Sequence, residues 1–286
     1  MSEFEKNITF IIVSFRSDNV IQKCIESISP NCKVIVVENS QNTSIKKYLE
    51  KKFSNVRVLI TGENLGYGRG NNLGISKVKT KYAFILNPDA YLEKNTLKEL
   101  NNTKCILHEE FSILSPTICD NKKYYKSFNG KEKNFIEVDF VKGFAMLLNL
   151  EKINFNEIFD KKIFLFLEEI DLCKRIKESG GKIYIACKGK IYHNAKESSG
   201  NEFEIELCRN WHWMWSLYYY NFKHFGMFSA YKITLYKFIS SLLKILLSII
   251  LMKKKKYLIH KYRLLGLINA YKKKDSWLRP HHISNI

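Results

Sequence analysis

Asp89 closes the run Phe84-Ile85-Leu86-Asn87-Pro88-Asp89, in which three apolar residues lead through Asn87 and Pro88 to a carboxylate. A second acidic group, Glu168, Glu169 and Asp171, opens a segment with helical character, where the helix dipole favours negative charge. Between these lies Gly62-Glu-Asn-Leu-Gly-Tyr-Gly-Arg-Gly-Asn-Asn72, rich enough in glycine and asparagine to turn tightly and bring backbone N–H groups against a ligand. A nucleotide crevice is the inference from that loop. Its Gly66-x-Gly68-x-Gly70 core does not have the spacing of a dinucleotide fingerprint. Carboxylates can instead be structural: Asp89 could cap the helix that follows it, and the three later acids could serve only the helix dipole.

These residues need elements to position them. Short β-branched runs at 8–15, 33–39, 56–61 and 81–87 alternate with polar stretches long enough for a helix each, which predicts an α/β chain with a mostly parallel sheet. The runs are continuously apolar because strands in such a sheet are covered on both faces. Ligands of open α/β sheets bind beyond the carboxyl ends of the strands. Ser14, Phe15 and Arg16 follow the first run, Glu38, Asn39 and Ser40 the second, and the glycine loop the third. Asp89 ends the fourth, so all these polar groups belong to one sheet edge. Further strands are expected around "FSILSP" and "FIEVDFVKGFAMLLNL", with a turn at Gly143, then a helix stopped by Gly180-Gly181 and a strand ending at His193.

The ordered set "IIVSF", "IVVENS", "ENLGYGRGNNLGI", "FILNPDA", "VKGFAMLL", "FLFLEEIDLCKRIKESG" and "IYHNAKESS" resembles family 2 glycosyltransferases of the GT-A fold, in particular their bacterial rhamnosyltransferase-like branch. The resemblance covers about residues 8–200. It implies an inverting transfer of a sugar from a nucleoside-diphosphate donor, dTDP-rhamnose or a UDP-sugar, to a hydroxyl of a lipid-linked bacterial surface glycan. It implies that Asp89, in an Asp-x-Asp-type motif with Asn first, and His193 hold Mg²⁺ or Mn²⁺. Asn87 would face the donor ribose or sugar. Ser14, Phe15, Glu38, Asn64, Gly66 and Asn71 would surround the nucleotide, with Arg69 toward a phosphate and Gly143 lining the donor or acceptor pocket. The family motif Glu-Asp-x-Asp-Leu reads Glu168-Glu169-Ile170-Asp171-Leu172 here, which puts Glu169 where the general base stands. Glutamate replaces aspartate both there and at Glu38. These departures keep open a reassignment of the base to Glu168 or Asp171, and an inactive GT-A protein. A nucleotidyltransferase with a related sheet is a further alternative.

Charge divides the chain. Net charge is +19, and from Leu207 onward fifteen Lys or Arg face a single acid, Asp275. The same stretch holds the aromatic segment 211–228 and an aliphatic segment in which Lys237, Ser241, Lys244 and Ser248 form one narrow polar stripe at helical spacing. Basic residues beside apolar surface are the signature of a peripheral anchor on an anionic leaflet. Lys244 interrupts the apolar run, which favours lying in the interface over crossing it. Packing onto another copy of the chain is the alternative. Nucleic-acid binding is disfavoured, because the run 238–252 is too aliphatic for a solvated phosphate-binding face and no recognition motif is present. The expected domains are therefore a catalytic domain, 1–200, and a helical extension, 201–286. Seven cysteines without a CxxC pair point to reduced thiols rather than zinc. The first ten residues lack an apolar run, so the expected location is cytoplasmic, on the inner face of the membrane.

Overall fold

The computed structural model describes residues 3–118, 133–193 and 202–283. Cys119 and the residues after His193 in "IYHNAKESS" fall outside them. The chain divides into two compact units, Met1–Asp160 with Glu169–Gly200, and Lys161–Glu168 with Asn201–Ile286. The division near residue 200 thus has a companion, because the short segment 161–168 groups with the C-terminal helices.

The first unit is built on one mixed sheet. After a helical turn α1 (Glu3–Lys6) come β1 (Ile8–Ser14), α2 (Ile21–Glu26), β2 (Lys33–Glu38), α3 (Thr43–Lys52), β3 (Val56–Ile60), α4 (Tyr67–Ile75) and β4 (Tyr82–Leu86). They are followed by β5 (Ala90–Leu92), α5 (Thr96–Ile106), β6 (Ile113–Ile118), β7 (Phe135–Glu137), β8 (Ala145–Asn149), α6 (Glu168–Glu178) and β9 (Ile183–His193). The sheet order is β3-β2-β1-β4-β8-β6-β9-β5, with β7 paired to β9. The first four strands are parallel, as their apolar runs predict, while β8 joins β4 and β6 antiparallel and β5 joins β9 antiparallel. Two apolar layers cover the faces of the sheet, one centred on Phe10, Phe84 and Leu147, the other on Ile11, Ile85 and Met146. Alternate residues of each strand feed opposite layers.

Close helix packing depends on α4. A Cβ on Gly74 would lie 2.5 Å from Ile11 Cγ2 and 3.3 Å from Val37 Cγ2. Glycine there lets the helix settle onto β1 and β2. Gly66, at the N-cap of α4, has φ 83° and ψ 179°, a conformation essentially reserved for glycine. The glycine loop is therefore shaped by backbone need as much as by any ligand.

The second unit is a helical hairpin. Its first arm, α7 (Phe203–Ile250), is broken at Gly226 (φ 80°), and its second is α8 (Lys254–Tyr271). Leu207, Trp211, Trp215, Tyr218, Tyr262 and Leu267 are among its buried core. His212 is fully buried, its Nε2 2.8 Å from the Leu278 carbonyl, and burial pushes its pKa down to about 3. The segment 161–168 is tied into the same unit: the Ser216 hydroxyl donates to Leu165 O at 2.8 Å and Ser276 to Lys162 O at 2.7 Å. Phe164 is held between the His212 ring, at 4.4 Å, and the Arg279 guanidinium, 3.7 Å from its ring centre. At the end of this segment Phe166 and Leu167 both have positive φ, 72° and 67°, immediately before α6. Consecutive left-handed residues without glycine are costly and persist only where surrounding structure enforces them. Beyond Gly226, α7 is long and apolar enough to cross a membrane, and its most apolar window is only 17% buried.

Candidate active site

The predicted sheet edge is present, and Ser14, Glu38, Asn39, Asn71 and Asp89 along it are buried while Arg16 is exposed. Ser14 and Glu38 are register partners at the ends of β1 and β2 and are almost fully buried. Ser40 donates to Glu38 Oε1 at 2.5 Å, yet desolvation prevails and raises the Glu38 carboxyl above its ordinary pKa. Phe15 follows β1, half-buried, with the Arg16 guanidinium 5.4 Å from its ring centre.

Asn39 organises the glycine loop. Its amide nitrogen donates to Gly66 O at 3.0 Å and to Asn64 Oδ1 at 3.4 Å, and its Oδ1 accepts from Leu65 N at 3.3 Å. Asn64 Oδ1 also accepts from Gly66 N at 3.0 Å. In α4, Asn71 donates to Tyr67 O at 3.0 Å while its own Oδ1 is buried without a hydrogen-bond partner among the described residues. Arg69 is exposed on the same helix.

Asn87 to Ala90 form a turn between β4 and β5, closed by Ala90 N donating to Asn87 O at 3.1 Å. Asp89 is thus held at a strand junction rather than as the cap of a long helix. Its side chain is buried, and Oδ1 lies 3.3 Å from His193 Nε2. The two are brought together because Ala90 and His193 are partners in the β5–β9 pairing. That oxygen makes no well-aligned hydrogen bond among the described residues, and Asn87 Oδ1 is likewise buried and unpartnered. A buried carboxylate oxygen left unsatisfied is costly in a protein alone. A hard carboxylate oxygen beside an imidazole nitrogen can hold a divalent cation such as Mg²⁺ or Mn²⁺, which takes further ligands from water and phosphate. Among the described residues no group of three His, Cys, Asp or Glu forms a metal cluster. The residues fit a cation that draws its remaining ligands from a substrate.

The turn before β8 joins this pair to the acidic helix. Phe144 stacks on His193, with ring centres 4.3 Å apart at 11°, and its carbonyl accepts from Asn87 N at 2.9 Å. The preceding residue, Gly143, meets Glu169: a Cβ there would lie 3.3 Å from Glu169 Cβ and 3.5 Å from its Cγ. Gly143 O also accepts a 2.5 Å hydrogen bond from Tyr67 Oη, which connects the turn to the glycine loop. Two successive residues thus touch the histidine of the metal pair and the candidate base.

The acids of α6 separate. Burial pushes the Glu169 carboxyl above the ordinary carboxylate range, opposed by the N–H groups of Glu169 and Ile170 and by the Lys142 charge. A carboxylate made more basic at a ligand crevice suits proton abstraction. Asp171 is fully buried and accepts from Arg175 Nε at 2.8 Å, one helical turn on. Arg175 also donates to the Ile158 carbonyl. Asp171 is committed to this ion pair, and the structure does not bring it to the crevice as a base. Glu168 is the buried first residue of α6.

Asn39, Tyr67 and Phe144 were not picked out as site residues by the sequence reading. An asparagine after a strand was a usable signal for the first. Nothing local marks the other two, whose partners lie far away in the chain.

Comparison with known proteins identifies the fold that carries this crevice. Residues 9–148 match the model of Glycosyl transferase family 2, and the chain carries a domain of that family with the GT-A fold. It is 25% identical over 195 residues to the low-salt glycan biosynthesis hexosyltransferase Agl10 of Haloferax volcanii, covering 60% of this chain and 62% of that protein, short of two thirds of its length. It is 23% identical over 235 residues to the rhamnosyltransferase WbbL of Escherichia coli K12, covering 71% of this chain and 88% of WbbL. Among solved structures, the mannosyltransferase PcManGT of Pyrobaculum calidifontis, in complex with GDP-Man and Mn²⁺, superposes with a TM-score of 0.59 at 12% identity, covering 94% of this chain and 88% of that one. That likeness concerns fold. Glu169 and His193 lie beyond the residues matched by the family model.

Proposed function

We propose that the chain is an inverting, divalent-metal-dependent hexosyltransferase that moves a sugar from a nucleoside diphosphate to a hydroxyl of a glycan. The observation that carries this reading is the Gly143–Phe144 turn, which links His193 of the metal pair to Glu169. Asp89 and His193 would hold Mg²⁺ or Mn²⁺, which when bound neutralises charge on the departing diphosphate. Glu169 takes the proton of the acceptor hydroxyl as that oxygen attacks the anomeric carbon. The new bond forms on the face opposite the leaving phosphate, so the configuration inverts. Asn87 and Asn71, with their unpartnered buried oxygens, accept hydrogen bonds from donor hydroxyls or base N–H groups. Glu38 and Phe15 contribute to the nucleoside end, and Phe144 fixes the plane of the imidazole.

The similarity to WbbL supports a rhamnose donor, and that to Agl10 supports a hexose more broadly. The exposed apolar surface of α7 beyond Gly226, with the lysines around it, supports attachment to the anionic face of a membrane and hence a lipid-linked acceptor. Calorimetric titration of UDP, dTDP and GDP with and without Mn²⁺ tests the donor site. One diphosphate should bind only with metal, and Asp89→Ala should abolish that binding. Glu169→Gln should bind the same diphosphate and fail to transfer. Binding of none of them would overturn the assignment, and full transfer by Glu169→Gln would move the base elsewhere.

A further inference from the structure

The hairpin carries a cluster of cations that the reaction does not use. On α8, Lys256, His260 and Arg263 follow one another at helical spacing and share a face. The Thr234 and Tyr271 hydroxyls, 3.0 Å apart, fix the register between the two helices. Counting equal numbers of residues from that pair toward the turn brings Ser241 level with Leu264 and Lys244 level with Lys261, next to Arg263 and His260, and the Lys244 charge acts on His260. The polar stripe of α7 therefore meets the cationic stripe of α8. Lys244 and Lys256 are exposed at the rim, while His260 and Arg263 are half-buried below it.

Among the described residues no carboxylate is paired with these side chains. The sequence holds no acid between Glu206 and Asp275. Glu206 is engaged by Lys255, Nζ to Oε2 at 3.1 Å. Ser241 and Ser248 donate their hydroxyl protons to the carbonyls of Lys237 and Lys244, at 2.8 and 2.6 Å. Arg263 Nε and His260 Nδ1 are both buried with no hydrogen-bond partner among the described residues. A guanidinium is always charged, and burying one donor of it unmet is unfavourable unless something outside the protein meets it. Burial holds the His260 imidazole below its ordinary pKa, with Lys244, Arg263 and Lys256 adding to the effect, as expected for cations gathered without a counter-charge.

We infer that the α7–α8 seam is a binding site for a phosphate-bearing anion, with Arg263 and His260 as its floor and Lys244 and Lys256 as its rim. A phosphate monoester or diphosphate supplies several acceptor oxygens and matches the guanidinium fork. Leu243, Leu246, Leu247 and Ile250, exposed on the same stretch of α7, would receive the acyl or prenyl chains of a lipid bearing that group. The lipid as source rests on the membrane attachment proposed above; the anion site itself does not.

The test uses the full chain, with Arg263→Met, His260→Gln and, as a charge control, Lys232→Gln, an exposed lysine of α7. One arm measures binding to phosphatidylcholine vesicles doped with phosphatidic acid or, at equal surface potential, with phosphatidylglycerol. The other measures the rise in melting temperature produced by inorganic pyrophosphate, since a ligand of the folded state stabilises it. Wild type should prefer phosphatidic acid. Arg263→Met and His260→Gln should lose on the order of tenfold or more in that affinity, as for hydrogen bonds to charged groups. Lys232→Gln should lose about fivefold on both vesicles alike. Loss of the pyrophosphate effect in the two seam variants, without a vesicle preference in wild type, would keep the site and identify its ligand as soluble. Equal losses by all three variants in both arms would overturn the site, leaving only a diffuse basic field. A fold control is built in: Arg263→Met should melt higher than wild type without ligand, because an unmet buried donor has been removed. If it melts lower and binds as wild type does, Arg263 is a packing residue and the inference fails.

Discussion

The sheet edge of the first unit and the hairpin seam of the second are opposite in charge and alike in construction. At the edge, Asp89, Glu38 and Glu169 present carboxylates that burial makes costly, and the Asp89 oxygen lacks a well-aligned donor. At the seam, His260 and Arg263 present buried nitrogens with no acceptor. In each region some buried polar atoms, such as Asp89 Oδ1, Glu38 Oε2 and Arg263 Nε, have no hydrogen-bond partner among the described residues. Other buried groups are met within the chain, Asp171 by Arg175 and His212 Nε2 by the Leu278 carbonyl, although His212 Nδ1, Tyr82 Oη and Asn149 Oδ1 are also buried without a hydrogen-bond partner among the described residues.

The largest expected effect breaks the comparison on the acidic side. Glu169→Gln should lower transfer by roughly 10²–10⁴-fold, the usual worth of general-base catalysis, measured as kcat at saturating donor. The same substitution sharpens the comparison in stability. The folded-state pKa of Glu169 is raised, so its favourable contribution is complete below the unfolded value, about 4.3, and is lost as pH rises through the folded value. Glu169→Gln should therefore melt higher than wild type at neutral pH, with the difference vanishing in acid.

Next in size is Phe144→Ala, which removes the ring stacked on His193. Loss of an outer partner of a metal ligand typically weakens the metal by about 10–100-fold, read here as the Mn²⁺ concentration needed for diphosphate binding. Its effect should disappear in an Asp89→Ala background. Gly266→Ala addresses the helical unit: the added Cβ would collide with the Trp211 backbone of α7. Overpacking of this kind costs about 1–3 kcal/mol, visible by denaturant unfolding. The smallest effect is that of His212. Its folded-state pKa is lowered to about 3, so its contribution to stability is present above about 6.5 and is lost as pH falls toward 3. His212→Gln should flatten that acid dependence of unfolding.

The strands were legible because burial on both faces makes their apolar runs continuous, so β1 to β4 follow from composition and length alone. Asp89 was legible by position, since a polar residue ending such a run must lie at the sheet edge. Asp171 was ambiguous in sequence, although Arg175 at i+4 was the available sign that its carboxylate was already taken. The mixed second half of the sheet was not legible, because pairing direction depends on how β8 and β9 return to strands far away in the chain. For the same reason Tyr67, Gly143 and Phe144 gained their roles only in space.

In the hairpin, the sequence determined the helices, their excess of cations and the polar stripe from Lys237 to Ser248. Only the tertiary structure decided that this stripe faces Arg263 and His260. Periodicity specifies which residues share a face of a helix, but the partner of that face is chosen by long-range packing.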